Sequence, residues 1–164
     1  IRLTKQLEKV GNIPRREPID VIDQGWYLKT TASYWIGVGS ILAFLSVLAG
    51  ALGAHWLDPV MDIDSKDTYE TSVRFQMFHS VALILIGIIL NFKFEFDRRF
   101  FYIPWLVLAG TVIFCGSLYT ISLSSFNWLG AVAPFGALLF ILGWLLLAFS
   151  VFNIARQNQN KDDR

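Results

Sequence analysis

Two histidines are the residues of this chain best suited to acid–base or ligand chemistry. His79 lies near the end of a polar run, Thr68–Ser80, that passes directly into the apolar stretch Val81–Leu90. A polar side chain inside a membrane is costly, so His79 needs a partner or a purpose there. His55 is the other histidine, and two histidines on neighbouring antiparallel helices are one way of holding haem iron.

Three interpretations of the polar side chains around His79 stay open. In the first, Gln76 and His79 hydrogen-bond to hydroxyl and carbonyl groups and fix the packing of helices. In the second, they border a pocket for a lipid, a quinone or another small amphiphile. In the third, His55 and His79 hold haem, although their predicted depths differ by more than a helical turn. We favour the first and expect no cofactor other than a bound lipid.

The loop between the first two apolar segments is acidic. Its carboxylates belong to Asp58, Asp62, Asp64, Asp67 and Glu70. An EF-hand calcium loop needs glycine at position six and an acidic residue at position twelve, and counting from Asp62 these positions hold Asp67 and Val73. We therefore interpret the loop as a solvated acidic segment and predict no metal site.

Other motifs of enzyme chemistry are missing from the sequence. It contains no HExxH motif, no phosphate-binding loop and no pair of carboxylates within an apolar segment. Cys115 is the only cysteine and lies in an apolar segment, where we interpret it as a small packing residue. The basic residues form no groove interleaved with aromatic residues, which argues against nucleic-acid binding. We predict that the protein is not an enzyme.

Four apolar segments must position all of these residues. The chain is 54% hydrophobic and 16% charged, whereas soluble domains carry about 25% charged residues. The segments, none of which contains Asp, Glu, Lys or Arg, are Tyr34–Ala54, Gln76–Phe92, Phe101–Leu123 and Trp128–Phe152. Each is near the roughly 20 residues that cross a bilayer as a helix. We predict an all-α integral membrane bundle over residues 34–153, with helices at about 34–54, 74–92, 101–123 and 128–152.

The basic residues predict the orientation of this bundle. Twelve of the fourteen Lys and Arg residues lie in residues 1–33, in the loop after the second segment or in the polar tail 154–164. Only Lys66 and Arg74 lie on the other side. By the positive-inside rule both termini face the cytoplasm or the mitochondrial matrix. The predicted location is the bacterial cytoplasmic membrane, or the mitochondrial inner membrane if the protein is eukaryotic.

Residues 1–33 form a basic N-terminal arm. Leu3, Leu7 and Val10 recur at helical spacing, which is typical of an amphipathic helix lying on a membrane surface. An extended arm that is ordered only by a partner fits equally well. Under either interpretation, we expect the arm to dock onto a neighbouring subunit.

Small residues predict close packing of the helices, because small-xxx-small spacing lets two backbones approach. The predicted packing positions are Gly39, Ala43, Ser46, Gly50 and Gly53 in the first helix and Gly136 in the fourth. Pro134 is predicted to kink the fourth helix.

The antiparallel order of the helices brings the unusual polar residues into the outer half of the bundle. The predicted members of this cluster are His55, Glu70, Arg74, Gln76, His79, Ser117 and Tyr119. Within it, Glu70 and Arg74 have the i, i+4 spacing of a helical ion pair.

Four motifs in order resemble the bacterial "domain of unknown function 423" membrane proteins, whose eukaryotic relatives are called transmembrane protein 256. They are GALGAH from Gly50, TYETSVRFQMFH from Thr68, FCGSLY from Phe114, and GAVAPFG from Gly130 with LGWLL from Leu142. The resemblance covers about residues 36–149. It implies four transmembrane helices and no activity, because the family has no established biochemical function. The arm at residues 1–33 departs from the family pattern.

Two functions from different classes fit these features. A bundle with glycine-lined faces, an extra arm and no catalytic constellation predicts a structural or accessory subunit of a larger membrane complex, such as a respiratory complex. The alternative is a protein that binds a lipid or quinone, or transports a small molecule, through a pocket around His79. The expected partners are membrane lipids and other membrane-protein subunits.

Overall fold

A computed structural model describes residues 30–57, 59–92, 98–124 and 126–162. Most of the predicted N-terminal arm, residues 1–29, lies outside this part of the chain. Residues 30–33 of the arm belong to the first helix.

The described residues form four helical spans that are long and apolar enough to cross a membrane, which confirms the predicted all-α bundle. The spans are Thr30–Leu57, Ile63–Asn91, Arg98–Leu123 and Trp128–Gln157. Their α-helices are α1 (Thr30–Leu52), α2 (Ile63–Asn91), α3 (Ile103–Gly110), α4 (Gly116–Leu123) and α5 (Ala133–Asp162). One π-helical segment (Gly53–Leu57) extends α1, and another (Thr111–Cys115) joins α3 to α4. One 3₁₀ segment (Arg98–Tyr102) precedes α3, and another (Asn127–Ala131) precedes α5.

The second helix begins eleven residues before the predicted start at residue 74. Asp62 caps α2, because its Oδ1 accepts a hydrogen bond of 2.8 Å from the backbone N–H of Ser65. Polar residues sustain a helix in water once its first turn is capped, so the helix continues beyond the apolar stretch. At the other end of the chain, α5 runs to Asp162, ten residues past the predicted end at 152.

Pro134 lies at the second residue of α5 and not at a kink within it. Proline is tolerated in the first turn of a helix, where its missing N–H removes no helical hydrogen bond. Contrary to the prediction, the proline therefore gives no reason for a kink within α5, and a 3₁₀ segment precedes the helix.

The second and third spans form the centre of the bundle. The first span packs on the second, and the fourth packs on the third. The two ends of the bundle differ in chemistry. We call the end where the first and third spans stop and the second and fourth begin the loop end. The apolar core fills the opposite end and consists of Ala32, Trp35, Leu83, Ile86, Leu90, Phe100, Ile103 and Val107. Most buried polar residues lie nearer the loop end, whereas Ser150 lies toward the opposite end of α5.

Small residues bring the backbones of neighbouring spans into contact, as the predicted packing positions require. A Cβ on Gly39 would lie 2.7 Å from the carbonyl oxygen of Ser80, and one on Gly136 would collide with the backbone of Phe114. Ser46 is buried and donates a hydrogen bond of 2.9 Å to the Val73 carbonyl. Of the other predicted positions, Gly50 is in van der Waals contact with Val73, Gly53 lies against the ring of Tyr69, and Ala43 is half-buried.

Candidate functional site

The second span carries a layer of buried polar side chains that ties it to both of its neighbours. Ser72 donates a hydrogen bond of 2.9 Å to the Cys115 carbonyl in the third span. Gln76 donates one of 3.0 Å to the Leu42 carbonyl in the first span. Ser80 stays within its own helix and donates to the Gln76 carbonyl at 2.6 Å. Because an unpaired polar group in hydrocarbon is costly, the bonds of Ser72 and Gln76 fix the rotation of the second span against its neighbours.

The acceptor for Ser72 lies at the end of the π-helical segment Thr111–Cys115. A π-helical turn shifts the helical ladder locally, and such turns recur at functional positions. Here the segment presents the Cys115 carbonyl to the second span, so the irregular turn of one helix is matched by a serine on the next.

His79 is 3% exposed, and both of its ring nitrogens have partners. Its Nδ1 lies 2.9 Å from the Phe75 carbonyl, and the indole Nε1 of Trp144 lies 3.4 Å from its Nε2. Since an indole N–H can only donate, Nε2 must be the acceptor and Nδ1 must carry the proton. This assigns the neutral Nδ1–H tautomer and makes His79 the polar link between the second and fourth spans.

Aromatic rings enclose His79 on the side of the fourth span. The imidazole stacks on Phe140 with a centroid distance of 3.5 Å and an interplanar angle of 13°, and the ring of Phe78 meets it edge-on at 5.2 Å. Phe140 is itself buried, at 4% exposure. The histidine is therefore held by packing as well as by hydrogen bonds.

A cavity of about 630 Å³ opens between the second and fourth spans beside His79. Its lining is Arg74, Phe75, Phe78, His79, Ala137, Phe140, Ile141 and Trp144. Apart from Arg74 at the loop end, the walls are aromatic or aliphatic, with the His79–Trp144 pair contributing the remaining polar atoms. The site suits an apolar body with a polar end near Arg74.

A second cavity, of about 360 Å³, lies at the loop end between the first and second spans. Three charged residues at four-residue intervals line it, namely Lys66, Glu70 and Arg74, together with small and apolar residues such as Gly53 and Tyr69. The Tyr69 hydroxyl donates a hydrogen bond of 2.8 Å to the Ala49 carbonyl, which fixes one wall. This cavity has three charged residues in its lining, whereas the first has one, and Arg74 lines both.

The structure brings Arg74, Gln76 and His79 of the predicted cluster to one region of the second span. Ser117 donates to the Ile113 carbonyl of its own span at 2.6 Å, and Tyr119 packs its ring on Tyr69 at 5.2 Å. Neither residue lines either cavity. Tyr119 belongs to the packing between the second and third spans, and its buried hydroxyl has no hydrogen-bond partner among the described residues.

Glu70 and Arg74 do not form the predicted pair within the described residues. The Arg74 guanidinium donates instead to the Thr71 hydroxyl at 3.3 Å. Both charged residues are exposed, so the i, i+4 attraction between them is weak enough for the guanidinium to point elsewhere.

The two histidines are not brought together. His55 is exposed in the π-helical end of the first span, two residues after Gly53, which contacts Tyr69. His79 lies ten residues beyond Tyr69, or about 15 Å along the helix. Two axial ligands must reach one iron from opposite sides, and the structure does not place His55 and His79 in facing positions.

The acidic loop contributes a helix cap. Asp62 accepts hydrogen bonds from the backbone N–H of Ser65 and from its hydroxyl, at 2.8 Å and 3.1 Å. These hydrogen bonds lower the pKa of the Asp62 carboxyl below its ordinary value. Among the residues that the structure describes, no three His, Cys, Asp or Glu side chains are grouped as a metal site would require.

Sequence reasoning missed Phe140 and Trp144, the two residues of the fourth span that contact His79. The position of Trp144 in the sequence could have indicated this contact. It lies in the middle of an apolar segment, far from the membrane interfaces where tryptophan is usual, and its N–H needs an acceptor. Among buried side chains of the neighbouring spans, His79 offers one.

Comparisons with known proteins identify relatives without an assigned activity. The family model described as "Protein of unknown function (DUF423)" matches residues 49–137. A UPF0382 membrane protein of Staphylococcus haemolyticus is 38% identical over 118 residues, which is 72% of this chain and 94% of that protein. The UPF0382 membrane protein YwdK of Bacillus subtilis is 33% identical over 113 residues, which is 69% of this chain and 91% of that protein. No solved structure matches the chain.

Proposed function

This chain belongs to the DUF423 family of membrane proteins, and we propose that it holds one amphiphile of the bilayer between its second and fourth spans. The names of its relatives state a membrane location and no activity, so the proposal rests on the geometry of the site. The ligand class is a lipid or a quinone. The proposed role is binding, with no bond made or broken.

The observation that supports this role is the cavity beside His79. Helices in a membrane associate by close packing, yet the second and fourth spans meet through His79, Phe140 and Trp144 and leave about 630 Å³ between them. This volume lies within the range of about 300–1,000 Å³ typical of ligand pockets. In a bilayer, an apolar cavity that opens to the side is filled by an apolar chain.

The lining of the cavity matches such a ligand. Phe78, Ile141 and Trp144 are large and partly exposed, so they offer rings and methyl groups to an acyl or isoprenoid chain. His79 lies beside them with both ring nitrogens already bonded. The site therefore gains little from a charged ligand at its centre and most from an apolar one.

Native mass spectrometry of the protein purified in mild detergent tests this role. Ile141→Trp puts an indole into the cavity, and Leu145→Trp makes the same change one turn along α5, at a residue that is exposed and lines neither cavity. We expect a co-purified lipid or quinone on the wild type and on Leu145→Trp, and several-fold less on Ile141→Trp. Equal ligand on all three proteins, or no ligand on any, contradicts the proposal.

The second candidate function is that of an accessory subunit, and the first span favours it. Of the 18 most apolar consecutive residues of this span 11% are buried, whereas 44% are buried in the corresponding stretch of the second span. Ser33, Gly37 and Ser40 are exposed on it, and a Cβ on Gly37 would meet no atom within 4 Å. An outward strip of small residues is suited to a helix of another subunit, such as one of a respiratory complex.

Gly37→Leu tests the accessory role in the native membrane. Gly116→Leu is the matched control, because Gly116 is also exposed and has no neighbour within 4 Å of a Cβ. On native gels from mild detergent, we expect the wild type and Gly116→Leu to migrate in a larger complex and Gly37→Leu to migrate alone. A wild-type protein that migrates alone rules this role out.

A further inference from the structure

Arg74 lies where three cavities meet. It lines the apolar cavity beside His79 and the charged cavity at the loop end. It also lines a third cavity, of about 550 Å³, between the first and second spans. The remaining lining of this third cavity is Ser46, Val47, Gly50, Val73, Met77, Phe78 and Val81. One cation therefore stands at the loop end of two apolar grooves.

Phe78 separates the two grooves. It is the only residue besides Arg74 that lines both of them, and it is 59% exposed, so its ring forms a ridge between the first and fourth spans. Phe78 lies four residues after Arg74, one turn deeper on the same face of α2. The site therefore has a cation at the loop end and, below it, a ridge with one groove on each side. This arrangement is complementary in shape to a lipid with one headgroup and two chains.

The charged residues that line the cavity at the loop end match a phosphate. Lys66 and Arg74 are the only Lys or Arg residues between positions 30 and 92, and both line this cavity with Glu70. The carboxylates of Asp62, Asp64 and Asp67 do not line it, so two positive charges and one negative charge leave a net charge of +1 on the lining. A phosphodiester carries one negative charge and balances it, whereas the second charge of a phosphomonoester would face Glu70 without a partner.

Arginine has the chemistry to hold that phosphate. Its guanidinium presents five N–H donors in a planar fork that fits two phosphate oxygens at once. Within the described residues Arg74 uses a donor on Thr71, and its side chain is exposed.

From this arrangement we infer that the protein binds an anionic glycerophospholipid, with its phosphodiester on Arg74 and Lys66 and one acyl chain on each side of Phe78. This inference deepens the proposed amphiphile binding and rests on it. It adds three requirements to that proposal: a negative headgroup, two chains and a dependence on Arg74.

Lipid titration of the detergent-purified full-length chain, followed by native mass spectrometry, tests these requirements. The probes are phosphatidylglycerol, phosphatidylcholine with the same chains, and single-chain lysophosphatidylglycerol. We expect phosphatidylglycerol to bind best. Arg74→Gln should weaken its binding roughly tenfold, as expected for the loss of a charge-assisted hydrogen bond. Arg156→Gln removes the same charge at an exposed residue far along α5 and should leave binding unchanged.

A second variant addresses the two chains. Phe78→Ala removes the ridge and merges the grooves, so we expect it to reduce the preference for phosphatidylglycerol over its single-chain form. If Arg74→Gln binds phosphatidylglycerol like the wild type, or if phosphatidylcholine binds equally well, the inference is wrong. Loss of ligand in Ile141→Trp with no effect of Arg74→Gln overturns the inference and leaves the proposed function standing. No effect of either substitution overturns both.

Discussion

The indole N–H of Trp144 donates a hydrogen bond of 3.4 Å to Nε2 of His79, a residue 65 positions earlier in the chain. The second and fourth spans otherwise pack mainly on other helices of the bundle. This one polar contact, with Phe140 stacked on the imidazole, therefore holds together the two walls of the cavity beside His79.

Trp144→Phe should destabilise the protein while keeping an aromatic ring in place. It removes the N–H and leaves Nε2 of the buried His79 without a donor. Hydrogen bonds between helices in membranes contribute about 0.6 kcal/mol on average and up to about 1.7 kcal/mol, so we expect a loss of about 1 kcal/mol. Denaturant unfolding in detergent micelles measures it.

Trp128→Phe is the control for that measurement, since Trp128 is 67% exposed and should tolerate the change. A double-mutant cycle with His79→Phe separates the hydrogen bond from the packing of the rings. If the effects of Trp144→Phe and His79→Phe simply add, the two residues are not coupled and the bond contributes nothing.

Gly136→Ala should be strongly destabilising. The added methyl group would collide with the backbone of Phe114, which can move only if the third and fourth spans separate. Overpacking of this kind typically costs about 1–3 kcal/mol. The free energy of unfolding in micelles is the measurement.

Gly116→Ala, in contrast, should not destabilise the bundle and should slightly stabilise it. No atom lies within 4 Å of a Cβ at this helical position, and alanine is favoured over glycine in a helix by up to about 1 kcal/mol. Equal effects of Gly136→Ala and Gly116→Ala would show that close contact with Phe114 does not matter.

Local patterns were sufficient to predict the four spans, because the length and lack of charge of an apolar segment can be read without knowing its neighbours. The polar character of Gln76 and His79 likewise predicted that they hydrogen-bond to hydroxyl and carbonyl groups. Their acceptors and donors, Leu42 and Trp144, depend on how helices distant in the chain pack. The cavities arise from that packing too, so periodicity alone could not reveal them.

One error of sequence reasoning has a local physical cause. Pro134 suggested a kink because the start of the fourth helix was placed at residue 128, whereas α5 begins at Ala133 and the proline falls in its first turn. The capping role of Asp62 was not predicted, because the sequence indicated only a solvated acidic loop, whereas this residue caps α2. Both results concern the start of a helix, which hydropathy defines poorly.

The cap at Asp62 should make the start of α2 sensitive to acid. Its hydrogen bonds to Ser65 lower the carboxyl pKa in the folded state below the ordinary value of 3.8. A depressed pKa means that the cap stabilises the fold above the unfolded value and that this stabilisation is lost as the pH falls through the folded pKa. We expect the protection factors of the amides of residues 63–66, which correct for the intrinsic pH dependence of exchange, to fall below about pH 3.8 relative to those of amides deep in the span.

Asp62→Asn is the matched control for this pH dependence, because asparagine also caps helices but does not titrate. In this variant, the amides of residues 63–66 should stay protected from exchange at neutral pH and should not lose further protection below pH 3.8. A wild-type protein whose first turn shows no more opening in acid than Asp62→Asn would contradict the role given to the carboxylate.

The orientation of the bundle is a prediction from the basic residues, and it determines which leaflet would supply the lipid that we propose at Arg74. Val60 and Gln159 are exposed and lie at opposite ends of the bundle. In a Cys115→Ser background, Val60→Cys should react with a membrane-impermeant maleimide on intact bacterial cells. Gln159→Cys should react only after the cells are permeabilised. Cys115 is buried, so its replacement removes background without exposing a new surface. The reverse labelling pattern would place Lys66 and Arg74 at the cytoplasmic leaflet, and the proposed phospholipid would then come from that side.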